Sequence, residues 1–174
     1  MRFELFMIPV AAVVGSAAHA DNFLTVEQAQ QQLFPGATFS PADFTMTTAQ
    51  IAQLIELTQT TVFHSKVRAW KASTGGWFFL DQVMGRDDRV TYALALDEHG
   101  AVKGIEILVC LPGYCRVREP QWRDQFHGKR YGDGGDLMGQ VSNISGESLT
   151  AEHVTEGTKR LLATYALFMA PLQK

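Results

Sequence analysis

Between Val62 and Val109 the chain carries four runs rich in β-branched and aromatic residues: Val62–Trp70, Trp77–Val83, Val90–Leu96 and Val102–Val109. Each run alternates in part, and they are separated by turn chemistry at Gly75-Gly76, "GRDDR" and "DEHG". Gly100 can adopt the positive φ that a tight hairpin connection needs. Four consecutive strands with short connections predict an antiparallel sheet, which must cover a face with helices.

The flanks supply those helices. "TVEQAQQQLF", Thr25 to Phe34, opens on a capping box, Thr25 with Gln28, and stops at Pro35-Gly36. A second box, Thr47 with Gln50, opens a helix over about Ala49 to Leu57, with Ile51, Leu54 and Ile55 at helical spacing. Beyond Pro112-Gly113 the pattern predicts a short strand around Arg116 to Arg118 and a short helix starting at Pro120. "GKRYGDGGDLMG" then reads as a loop. A terminal helix is expected from Leu149 or Thr150 to Met169, with Val154, Leu161, Leu162, Tyr165, Phe168 and Met169 on one stripe. No repeat, low-complexity tract or linker interrupts the chain. The expected fold is α+β, a single domain whose antiparallel sheet packs against N-terminal and C-terminal helices.

The first twenty residues, "MRFELFMIPVAAVVGSAAHA", follow another logic. Arg2, a short apolar run from Leu5 to Val14 and the small residues Ala18 and Ala20 make the three-part pattern of a secretory signal, with cleavage expected after Ala20. A retained anchor is the alternative, although the run is short for a bilayer and no later run reaches about 18 apolar residues. Residues 1–20 are thus assigned as a signal peptide and 21–174 as one exported, periplasmic domain. The formal net charge is −3 with no Lys/Arg run. That balance offers no electrostatic footprint for nucleic acid.

Most sites of chemistry are excluded by spacing. His64, His99, His127 and His153 are scattered and form no H-x-x-x-H pair, so no metal site is expected. "YGDGGDLMG" lacks dinucleotide-binding spacing, and there is no G-x-S-x-G elbow. Trp70, Trp77, Phe78 and Phe79 read as core. Cys110 and Cys115 flank a Pro-Gly turn in "CLPGYC". Outside the cytoplasm such a pair suggests a disulfide; free thiols or a redox pair are the alternatives.

One stretch survives, "NISGESLTAEHVTEG", residues 143 to 157. Two hydroxyls and a glycine at the mouth of a helix suit either a phosphate site or a plain N-cap by Ser148 or Thr150. Glu147 suits the helix dipole but places a carboxylate where a phosphate would arrive.

In its wider order of blocks the chain resembles the FMN-binding domain family, exported flavoproteins related to the NqrC and RnfG respiratory subunits. "QQLFPGATF" is similar to the family's first helix and turn, and "GWFFLDQVMGRDDRVTYALALDEHGAVKGIEIL" to its central sheet. "GYCRVREPQWRDQFHGKR" resembles its glycine–tyrosine turn, charged strand and short helix. The resemblance is centred on about 76–170. It implies FMN as cofactor, attached by a phosphoester to the last residue of an Asp-x-x-Ser/Thr-Gly-Ala-Thr motif. A separate flavin transferase makes that bond from FAD. Ser145 and Gly146 match; Ser148 stands at the acceptor position, Glu147 at the small residue and Ser142 at the Asp. Gly113 and Tyr114 are the further positions expected near the cofactor. The implied role is an electron carrier working with membrane-bound electron-transfer components, more carrier than enzyme. The departures leave covalent FMN on Ser148, noncovalent FMN and loss of flavin open. The last would make a periplasmic binding or assembly module that keeps the fold.

Overall fold

The two capping boxes set the first helices. In the computed structural model, which describes residues 21–111 and 113–173, Thr25 Oγ1 accepts the Gln28 N–H at 3.2 Å and Gln28 Oε1 accepts the Thr25 N–H at 2.8 Å. The expected signal segment and Pro112 lie outside the described residues. Helix α1 (Val26–Leu33) follows the first box. Thr47 and Gln50 repeat the exchange at 3.3 and 2.9 Å ahead of α2 (Thr48–Thr58).

The sheet is antiparallel throughout. Its strands are β1 (Asp21–Asn22), β2 (Phe39–Pro41), β3 (Phe44–Thr45), β4 (Lys66–Ala72), β5 (Trp77–Met84), β6 (Arg89–Leu96) and β7 (Val102–Cys110). They lie in the order β1-β7-β6-β5-β4-β2, with β3 pairing β4 off that path. The four long strands form the expected meander, but the first is displaced. Its run begins at Lys66 rather than Val62, because pairing of Lys71 with Trp77 and Arg68 with Leu80 fixes the register from the Gly75-Gly76 turn. Gly76 is required there: at φ 92 an added Cβ would lie 2.3 Å from the Leu96 carbonyl oxygen.

Both sheet faces are covered, which explains why alternation in the sequence is only partial. One face presents Phe78, Leu80, Ala93 and Ala95 to Ala29, Leu33 and Phe34 around α1. The other presents Phe79, Val83, Tyr92 and Leu94 to the C-terminal helix. That helix, α4, runs Ser148–Thr164 and continues as a π-helical turn through Tyr165–Met169. All six residues of the expected stripe are buried. Gly157 lets α4 settle close, since a Cβ there would meet the Tyr92 hydroxyl at 2.4 Å. At the same contact Tyr92 donates to Asp81 at 2.9 Å, and Arg160 pairs with Asp81 at 2.6 Å.

The short strand expected at Arg116–Arg118 is a 3-10 turn instead. The Arg116 N–H is taken by a side chain rather than by a ladder partner. The turn leads to α3 (Pro120–Arg123), which opens at the expected proline. Among the described residues, no helix is long and apolar enough to cross a membrane.

Candidate cofactor site

Two turns meet at the start of α4. In the first, the Glu147 N–H donates to the Ile144 carbonyl at 3.0 Å, and Gly146 takes φ 85, a conformation that favours glycine. Ser145, Gly146 and Ser148 are exposed, and a Cβ at Gly146 would meet nothing within 4 Å. In the second, the Tyr114 N–H donates to the Leu111 carbonyl at 3.1 Å with Gly113 at φ 83. Tyr114 is part-exposed and lies under the Arg86 guanidinium, 5.1 Å from the ring centroid. An open depression of about 440 Å³ borders this turn at Gly113, Cys115, Arg116 and Glu119.

Arg116 joins the two turns. Its backbone N–H donates to Glu147 Oε2 at 2.7 Å, and its guanidinium donates to the Ser145 carbonyl at 3.1 Å and to Glu119 at 2.9 Å. Sequence reasoning singled out neither Arg116 nor Arg86. The only local signal is that Arg116 stands two positions beyond Tyr114 in a charged segment.

Two expectations about this stretch are corrected. Neither Ser148 nor Thr150 caps the helix. Glu147 occupies the cap position, no side chain caps α4, and Ser148 Oγ donates back to the Ile144 carbonyl at 3.2 Å. The first-turn N–H groups of α4 are therefore left without a capping side chain, the arrangement that receives anions at helix starts. Glu147, in turn, does not stand out toward an arriving phosphate. It is 6 % exposed and engaged with the backbone of Arg116. Burial raises its pKa from the ordinary value, opposed by the Arg116 N–H and then by the Arg116 charge. Its Oε1 is buried without a hydrogen-bond partner among the described residues. Beside the exposed turn the Arg116 guanidinium is paired with Glu119, so the donors that suit a phosphate group there are the uncapped first-turn N–H groups of α4, with Arg116 next to them.

Ser142, at the motif's first position, is tied down through its backbone. Its carbonyl accepts Trp122 Nε1–H at 2.9 Å and its N–H donates to Gln125 at 2.8 Å. Cys110 and Cys115 are bonded, with Cα atoms 5.8 Å apart, which closes the loop carrying Gly113 and Tyr114. The protein is expected to show no free thiol under non-reducing alkylation. Reduction should cost about 2 kcal/mol of stability in the chain-entropy picture. Two labelled thiols before reduction would overturn the bond.

The geometry allows binding more than catalysis. Ser148 Oγ meets a carbonyl rather than a base, so an incoming phosphoryl group would need its catalyst from elsewhere.

No family model matches the sequence, and no curated protein sequence matches it. Among solved structures the chain is similar to the crystal structure of Shewanella oneidensis NqrC, with 14% identity and a TM-score of 0.54. The likeness covers 82% of this chain and 87% of that one. The fold is NqrC-like.

Proposed function

We propose that this protein is an exported FMN-carrying electron-transfer protein, with the flavin held as a phosphoester on Ser148. The observation that carries the reading is an exposed hydroxyl at an uncapped helix start, flanked by Arg116, on an NqrC-like fold. Bound flavin would supply the redox chemistry. In forming the bond, Ser148 Oγ would attack the FMN phosphorus of FAD, AMP would leave, and a base on the flavin transferase would take the hydroxyl proton. The uncapped N–H groups of α4 and the Arg116 guanidinium would then hold the phosphate oxygens. Gly146 leaves room for them. Membrane-bound electron-transfer components are the proposed partners, reached after removal of residues 1–20.

The test is co-production with an active flavin transferase, followed by in-gel flavin fluorescence after denaturation. Wild type and Ser148→Thr should fluoresce and Ser148→Ala should be dark. Because Ser148 caps nothing, Ser148→Ala should change stability by no more than about 0.5 kcal/mol, the scale of an ordinary surface substitution. Wild type and Ser148→Thr both remaining dark would reject the phosphoester and favour noncovalent FMN or a binding module without flavin. The secreted protein should begin at Asp21; amino-terminal sequencing that finds Met1 would reject processing.

A further inference from the structure

Helix α1 is too short for the sheet face it covers. Its eight residues span about 12 Å, whereas the eight of β6 run about 27 Å. Ala29, Leu33 and Phe34 pack with Phe78, Ala93 and Ala95, and the face continues past them to Thr91, Gln82 and Arg89. A slot of about 390 Å³ opens where the helix begins. It is lined by Leu80, Thr91, Leu108 and Val109 of the sheet and by Leu24 and Val26 of the chain entering α1. Leu80, Thr91 and Leu108 are under a tenth exposed and form its floor, while Leu24, Val26 and Val109 are part-exposed at its mouth. Apolar walls with a few polar groups, at a size above about 300 Å³, are the usual make-up of a small-molecule site.

The polar groups narrow what the slot takes. On its floor Thr91 Oγ1 accepts the Gln82 amide N–H at 2.9 Å, and its own hydroxyl proton has no acceptor among the described residues. Two exposed cations stand beside that hydroxyl on the same face. Arg68 lies across from Leu80 on β4, and Arg89 is two positions from Thr91 on β6. Neither forms an ion pair among the described residues; Arg68 rests on the Trp70 ring, 5.5 Å from its centroid. Of the described residues lining the slot, none is acidic. The carboxylates near this face are engaged: Asp43 with Lys66 at 2.8 Å, Glu106 with Arg123, and Asp88 with the Arg89 backbone N–H at 2.7 Å. On a chain of net charge −3, the slot pairs an apolar floor with a cationic rim.

We propose that this slot binds a monocarboxylate with a single apolar tail, of the size of a medium-chain fatty acid. The tail lies against Leu24, Leu80, Leu108 and Val109. The carboxylate accepts the Thr91 hydroxyl proton and faces Arg68 and Arg89. A cationic head of the same length would meet two like charges and no acid. The inference stands apart from the flavin reading, because the slot opens on the sheet face that α4 and Ser148 do not cover.

Calorimetric titration of the full chain with decanoate tests this. Decanoate should bind saturably at one site per chain, acetate should give no saturable heat, and decyltrimethylammonium should bind about tenfold more weakly than decanoate. Thr91→Val keeps the β-branched shape and removes only the hydroxyl, so it should weaken decanoate several-fold. The double variant Arg68→Gln with Arg89→Gln should do the same, and both side chains are exposed, so it should fold. Leu24→Asp, at the part-exposed mouth, should weaken decanoate about tenfold, the scale of one lost contact residue. No saturable heat with decanoate overturns the slot. Equal affinity for the two decyl compounds, or binding indifferent to both Thr91→Val and the double variant, overturns the carboxylate. Phosphatidylglycerol vesicles that bind the chain and displace decanoate would overturn the single-tailed ligand.

Discussion

Gly157→Val is expected to lower the unfolding free energy by about 3 kcal/mol, the upper end of the usual cost of overpacking a core. Helix propensity alone predicts the opposite sign, since replacing a mid-helix glycine by alanine gains up to about 1 kcal/mol. The contact decides. An added Cβ would sit 2.4 Å from the Tyr92 hydroxyl and 2.9 Å from a Val83 methyl, both in a fully packed face. Relief by moving Tyr92 would also break its 2.9 Å bond to Asp81. Urea unfolding checks this directly. A Gly157→Ala variant as stable as wild type would show that α4 can lift without loss, and the close-packing argument would fail.

Arg160→Met is expected to cost about 3 kcal/mol or more, the price of leaving one half of a largely buried ion pair alone. Arg160 is 8 % exposed, binds Asp81 at 2.6 Å and also donates to the Thr61 carbonyl at 3.0 Å. Without it, Asp81 keeps only the Tyr92 hydroxyl. Burial, and then the Asp81 charge, hold that phenol's pKa well above its ordinary value, so it stays a donor. The double variant Arg160→Met with Asp81→Leu should recover most of the loss, because removing both charges removes the desolvation cost of each. If the double variant is as unstable as the single one, the pair is not what Arg160 contributes.

What could be read in advance followed from local chemistry. Thr25 and Thr47 each meet a glutamine three positions on, and those exchanges need nothing from the rest of the chain. The meander was visible because its hairpins join neighbours, and the α4 stripe because its period is that of a helix. The strands β1, β2 and β3 were not visible: two or three residues carry no period, and distant partners hold them. At the candidate site, the positions of Ser145, Gly146 and Ser148 in a turn before a helix were legible. The orientation of Glu147 was not, since it is decided by the Arg116 N–H, 31 positions away. The apparent strand at Arg116–Arg118 is a 3-10 turn, closed by the Arg118 N–H on the Cys115 carbonyl and the Glu119 N–H on the Arg116 carbonyl. Coverage of both sheet faces was likewise hidden, because a run such as Trp77–Leu80 is apolar whichever face each residue meets.

The pairing of β1 with β7 has a kinetic consequence. The hairpins from β4 to β7 close over short connections, so their loop-closure cost falls early and lightly. Asp21 and Asn22 must instead find Cys110 and Val109, after the whole meander has been made. The segment that leaves the ribosome first among the described residues is thus among the last able to dock, and the edge of β7 stays open until it arrives. Such distant closures slow folding relative to local ones. The interval before this edge closes is when β7 is most available to strands of other chains.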